Sequence, residues 1–234
     1  MINFNISIVS DAVCPWCYIG LRRLTSAITS YKATHPASKF TLTWHAFYLN
    51  PTAPAYPGFP KTEHYSAKFG ADRTEAIFAR LAAVGKNEGI NFRFGGRTGK
   101  TRDAHRLVWY AGGLEGTSSA TAHVVEGKAD GEIGGLQTRV VEKLFKAYFE
   151  EEKNITDRGI LVEAAAAAGL DTAAVEKFLA GEEGGQEVDA EAEKARGQLV
   201  SGVPFFTIQD RYVVEGAEEP AAFLEIFDKV AAEL

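Results

Sequence analysis

Asp11-Ala12-Val13-Cys14-Pro15-Trp16-Cys17 is the stretch that decides how this chain reads. Before it, Phe4, Ile6 and Ile8 alternate with Asn3, Asn5 and Ser7, and Val9 closes the run. A period of two marks a β-strand, because successive side chains point to opposite faces. After it, Leu21, Leu24, Ile28 and Tyr31 recur at helical spacing. Pro15 suits the first helical position, where a missing N–H is no loss. Phe40, Leu42, Trp44 and Ala46 then alternate again. Residues 4 to 47 therefore predict strand, helix, strand: a parallel pair joined by a right-handed crossover.

This placement carries chemistry. Cys14 falls where the helix begins, and the unpaired N–H groups and macrodipole there favour an anion. The thiolate is the form that attacks a disulfide. Cys17, one turn further in, is expected to be more buried and to resolve a mixed disulfide by exchange. Two plainer readings stand beside this one. Half a zinc site needs two more ligands, yet there is no second CxxC, and His35, His45, His64, His105 and His123 form no HxxxH pair. A structural disulfide, or two inert core thiols, is the other.

The 234 residues are 46% hydrophobic and 24% charged, an ordinary globular balance with enough chain for a sizeable core. The net charge of -6 and the lack of a basic patch argue against a nucleic-acid partner. No apolar run approaches the roughly 20 residues that span a bilayer, so no membrane partner is expected. Met1-Ile2-Asn3-Phe4-Asn5-Ile6 lacks the positive and apolar regions of a signal peptide, which sets the expected location as the cytosol. In that reducing compartment two cysteines three apart point to catalysis or metal binding before structure.

Between Asn50 and Pro60 four prolines and Gly58 predict a loop leaving the sheet. A helical middle follows. Asp72-Arg73-Thr74-Glu75 resembles a capping box, ahead of an apolar face of Ile77, Phe78, Leu81 and Val84, with Gly89 as a stop. Further helical patterns run over 103–112, 119–127, 136–150, 157–168 and 171–180, with Asp157 and Asp171 as N-caps and Gly169 as a C-terminal cap. Gly112-Gly113, Gly134-Gly135 and Gly184-Gly185 read as loops between them. Val203 to Ile208 and Arg211 to Val214 are short β-rich runs joined at Gln209-Asp210. Pro220 opens a last helix with Phe223, Leu224, Phe227 and Val230 on its apolar face. The order βαβ, helical block, ββα predicts one α/β domain carrying an all-helical insertion.

Cys14-Pro15-Trp16-Cys17 followed by Tyr18-Ile19-Gly20 resembles the DsbA-like oxidoreductases, in particular their cytoplasmic FrnE-like branch. Asp103-Ala104-His105-Arg106-Leu107 and Leu144-Phe145-Lys146-Ala147-Tyr148-Phe149 resemble that branch's helical insertion. Gly202-Val203-Pro204-Phe205-Phe206 and Gly216-Ala217 are similar to its C-terminal half. The resemblance implies a thioredoxin fold: residues 1–60 the N-terminal part, 61–198 the mainly helical insertion, 199–234 the C-terminal part. It implies that Pro204 is a cis-proline facing the redox pair, with Val203 offering backbone to an extended substrate segment. It also raises a homodimer formed through the inserted helices. Its best-known periplasmic members have His where this chain has Trp16. An indole in place of a cation implies a more reducing poise.

The expected catalytic residues are thus Cys14 and Cys17. Pro15, Trp16, Val203, Pro204 and His105 are the expected substrate face, with a satisfied core histidine the plainer reading of His105. Asp11 is a candidate proton relay, or a loop cap. Arg102 and Arg106 are candidates for a substrate carboxylate, solvated charge being the plain reading. No metal and no tightly bound cofactor are expected. Protein or small-molecule disulfides and thiols are the expected partners. The alternatives are a glutathione-dependent isomerase or transferase, similar to the 2-hydroxychromene-2-carboxylate isomerases and kappa-class glutathione transferases with glutathione as cosubstrate, and a non-catalytic binding or chaperone module.

Overall fold

The computed structural model describes residues 2–115, 133–197 and 200–233. Strand β1 (Asn3–Ser10) buries Phe4, Ile6, Ile8 and Ser10, the alternation expected from the sequence. Helix α1 (Pro15–Thr34) follows, then β2 (Lys39–Ala46), parallel to β1 with Ile6 opposite Leu42 and Ile8 opposite Trp44. A two-residue strand β3 (Phe59–Pro60) leads into α2 (Lys61–Phe69) and α3 (Ala71–Asn87), and β4 (Arg97–Thr98) returns to pair with β3. Then come α4 (Arg102–Glu115), α5 (Leu136–Phe149), α6 (Arg158–Ala168), α7 (Thr172–Ala180) and α8 (Gly185–Gly197). Strands β5 (Phe205–Ile208) and β6 (Tyr212–Glu215) and helix α9 (Pro220–Ala232) complete the chain.

The main sheet has the order β2-β1-β5-β6, with β5 antiparallel to β1 and β6 antiparallel to β5. Helices α1 and α9 pack together against one face. Phe4 is central there: it stacks on Phe40 at 4.7 Å and meets Tyr31 and Phe227 edge-on or tilted. The β5–β6 hairpin turns through Gln209 and Asp210, both at positive φ, the geometry that matches strand twist.

The open edge of β2 is covered by inserted helices. The Trp44 N–H donates to Gln137 Oε1 at 2.9 Å, and the Gln137 amide donates back to the Trp44 carbonyl. The Ala46 N–H donates to Glu191 Oε2. Side chains of α5 and α8 thus stand in for a missing strand, which keeps buried backbone groups paired.

Several local expectations differ from the structure. Asn50 to Pro60 is not all loop, because β3 takes Phe59 and Pro60. A two-residue edge strand tolerates a proline's missing donor. The capping box does not form: α3 starts at Ala71 behind Gly70, and Thr74 Oγ1 donates to the Gly70 carbonyl, leaving Asp72 in the first turn. Gly112-Gly113 lies inside α4, not in a loop. Helix α8 has no counterpart in the sequence reading; its buried residues are Gly185, Val188, Ala192 and Ala195, a stripe with little apolar contrast. Asp157 and Asp171 do cap, accepting from the Gly159 and Ala174 N–H groups, and Gly169 ends α6 at φ 94°. The helix expected at 119–127 lies outside the described residues.

Candidate active site

Strand β1 ends at Ser10, and the chain turns through Asp11 to Val13 before α1 begins. Cys14 is the N-cap of α1, in extended conformation (φ −90°, ψ 113°), and Pro15 is its first residue. The Cys14 N–H donates to the Asp11 carbonyl at 2.9 Å, and the Cys17 N–H donates to the Cys14 carbonyl at 3.1 Å. These bonds close the turn and bring the two cysteines to one end of the helix. Both are free thiols and buried, Cys14 4% exposed and Cys17 1%.

The second wall of the turn comes from the far end of the sequence. The Val203–Pro204 bond is cis, and the Cys14 thiol donates to the Val203 carbonyl at 3.4 Å. Gly20 makes this approach possible. A Cβ there would sit 2.9 Å from Pro204 Cγ and 3.1 Å from the Phe206 ring, so any larger residue would push α1 off the start of β5.

Burial pushes the Cys17 thiol well above its ordinary value, and the Cys14 sulfur beside it pushes it further, by hydrogen bonding and by charge. Beneath the pair, Asp11 is 1% exposed. Its Oδ2 accepts from the Leu49 N–H at 2.8 Å, and its Oδ1 lies 3.4 Å from His105 Nε2.

A cavity of about 390 Å³ opens beside Cys14. Asp11, Cys14, Pro15, Trp16 and Val203 line it, so five of the expected residues come together. Pro204 is buried behind Val203. His105 does not line the cavity; it packs under the turn, against Asp11 and the Tyr48 ring. Arg102 and Arg106 are elsewhere. Arg102 pairs with Glu182 and Asp189. Arg106 is 0% exposed, not solvated, and is used up by Asp103 and the carbonyls of Phe178, Gly181 and Glu183.

The facing wall comes from α2 and α3 and was not anticipated. Tyr65, Lys68 and Phe69 line the cavity from α2, and Ile77, Arg80 and Leu81 from α3. Their spacings of three and four put each set on one helix face. That signal is present in the sequence, but nothing local says which face turns to Cys14. The Arg80 guanidinium lies over the Trp16 ring, 5.3 Å from its centroid.

Among the described residues no three His, Cys, Asp or Glu side chains cluster as a metal site. No helix of the described residues is long and apolar enough to cross a membrane.

No curated protein sequence matches the chain. Among solved structures it is similar to a Streptomyces coelicolor protein described as a probable DsbA oxidoreductase, at 25% identity and a TM-score of 0.80, over 99% of this chain and 91% of that one. It shares its fold with a 2-hydroxychromene-2-carboxylate isomerase, at 14% identity and a TM-score of 0.63, over 98% and 97%. The same holds for the cytosolic disulfide reductase DsbM from Pseudomonas aeruginosa, at 16% identity and 0.61, over 98% and 100%. The sequence profile of the DSBA-like thioredoxin domain matches residues 5–228, nearly the whole length. On that match and the fold around Cys14, the chain belongs to the DSBA-like thioredoxin domain family.

Proposed function

We propose that this protein is a thiol–disulfide oxidoreductase that works through the Cys14–Cys17 pair. The observation that carries the reading is the seat of Cys14, which caps α1 and holds its sulfur against the Val203 carbonyl at 3.4 Å. A helix start turns unpaired N–H groups toward a sulfur seated there, and the thiolate is the form that attacks a disulfide. The Cys14 thiolate attacks one sulfur of a substrate disulfide. The S–S bond breaks, one substrate thiolate leaves and takes a proton from water, and Cys14 carries the mixed disulfide. Cys17 then attacks the Cys14 sulfur and expels the second thiolate. Two electrons pass from the protein dithiol to the substrate, and the protein ends as the Cys14–Cys17 disulfide.

The order of these steps follows from the surroundings of Cys17. While Cys14 is charged, it holds Cys17 protonated; once Cys14 is tied up in the mixed disulfide, that push disappears and Cys17 ionises more readily. Asp11, with His105 behind it, is the proton acceptor in this reading. An extended substrate segment lies along Val203, with Pro15, Trp16 and Pro204 shaping its bed. The dithiol is restored by a small thiol in a reducing cytosol; glutathione is the proposed donor, and the DsbM neighbour has been solved with it. Trp16 between the cysteines favours net reduction of substrates.

Trapping tests this directly. Cys17→Ala should accumulate mixed disulfides through Cys14, while Cys14→Ser should trap none and lose insulin disulfide reduction. Turnover of an isomerase substrate by Cys14→Ser with glutathione would replace the proposal with the isomerase reading. Parent-like behaviour of both variants would leave only a binding module.

A further inference from the structure

The helical wall of the Cys14 cavity carries positive charge that no described residue pairs with. Lys68 and Arg80 both line it, and among the described residues neither makes an ion pair or hydrogen bond. Each lies over an aromatic ring instead, Arg80 over Trp16 and Lys68 over Phe69, both at 5.3 Å. The one acid among the described lining residues, Asp11, is buried and already engaged by Leu49, Val13 and His105. His64, stacked on Phe59 at 4.6 Å, adds no third charge, because burial and the nearby Lys68 push its imidazole down from an already near-neutral value. Tyr65 makes no hydrogen bond among the described residues, and burial pushes its phenol up, so it stays a neutral donor. Among the described residues this wall therefore offers two cations, one O–H donor and the apolar surface of Phe69, Ile77 and Leu81, with no free anion. At about 390 Å³ the space suits a small molecule.

From this arrangement we infer that the cavity selects small disulfides bearing a carboxylate on an apolar body, and that Lys68 and Arg80 are the residues that hold the carboxylate. The inference rests on Cys14 being the nucleophile. The apolar body packs on the α2–α3 rings while the carboxylate meets the two cations, which turns the S–S bond toward Cys14. Attack breaks that bond, one carboxylate-bearing thiolate leaves and is protonated by water, and the other stays on Cys14 until Cys17 displaces it. The electrons come from the protein dithiol, which dithiothreitol restores between turnovers. A protein disulfide lying along Val203 does not enter this wall and is indifferent to it.

Matched probes separate charge from reactivity. Reduced protein is mixed in single-turnover experiments with 5,5′-dithiobis(2-nitrobenzoate) and with uncharged 4,4′-dithiodipyridine, each rate taken relative to free dithiothreitol. 3,3′-Dithiodipropionate and dicationic cystamine form an aliphatic pair. In the Lys68→Met/Arg80→Gln double variant the two carboxylate probes should slow about fivefold. Dithiodipyridine and insulin should stay within about twofold, and cystamine should gain; these bounds follow from the same rim-charge argument. Raising the salt should shrink the parent's preference in the same direction. Any effect of Arg80 on the reactivity of Cys14 itself moves every probe alike, so the ratio is the readout. Carboxylate and neutral probes changing in parallel, or a ratio unmoved by the substitutions, would overturn the assignment. Failure of the underlying reading looks different: Cys14→Ser would still reduce all the probes.

Discussion

The two walls of the Cys14 cleft are built in opposite ways. The sheet-side wall is held largely by backbone: Cys14 to Asp11, Cys17 to Cys14, and Phe47 to Ser10, with the Asp11 carboxylate accepting from Leu49. Ser10, Asp11, Cys14, Cys17 and Phe47 are all buried. The helical wall is held by little of this kind. Helix α2 buries only Lys61, and α3 only Thr74, Leu81 and Gly85, while Lys68 and Arg80 are exposed. The difference teaches a division of labour. Atoms that must meet a sulfur at fixed distance sit on packed backbone, and groups that sort substrates sit on side chains that can adjust.

Substitutions on the packed wall should therefore cost most. Cys14→Ser should lower insulin reduction by about a thousandfold or more, since the nucleophile itself is lost. Asp11→Asn should slow release of the mixed disulfide by about a hundredfold, the usual scale for a missing acid–base group. Quenched-flow trapping checks this, and a structural role alone would leave the release rate intact. Gly20→Ala should destabilise the fold by about 1–3 kcal/mol, through overpacking against Pro204 and Phe206, read by denaturant unfolding.

The helical wall offers a pH test. Lys61 donates to the Tyr148 carbonyl at 2.8 Å, and burial pushes its ammonium down to about 8. Between pH 8 and 10.5 the unfolded lysine keeps its proton while the folded one has lost it. Stability from this group is then present above pH 10.5 and is lost as pH falls through that window to the folded value near 8, by about 1.4 kcal/mol per pH unit at most. Lys61→Met should flatten that slope in unfolding curves measured across the window. The smallest effect is the fivefold charge preference assigned to Lys68 and Arg80, which sharpens the contrast if it spares insulin.

Much of the packed wall was legible beforehand. Alternation in Phe4 to Ile8 and Phe40 to Ala46, and the Cys14-Pro15 start of α1, are local signals, and local forces set those elements. Asp157, Asp171 and Gly169 were legible for the same reason, because a cap acts within one turn. The burial of Arg106 is not legible locally: Asp103 is near in sequence, but the three carbonyls that complete its seat lie 72 to 77 positions away. Helix α8 escaped notice because a stripe of alanine, glycine and one valine has almost no hydrophobic contrast.

By itself the sequence determined the strand–turn–helix that seats Cys14, the spacing that places Cys17 one turn behind it, and the family to which both belong, because these depend on periodicity and on contacts a few residues long. Only the tertiary structure decided that Val203 faces the sulfur, that His105 turns to Asp11, and that Lys68 and Arg80 look into the same cavity. Those meetings are chosen by how helices pack over a sheet, and packing depends on the sum of many distant contacts instead of any one neighbour.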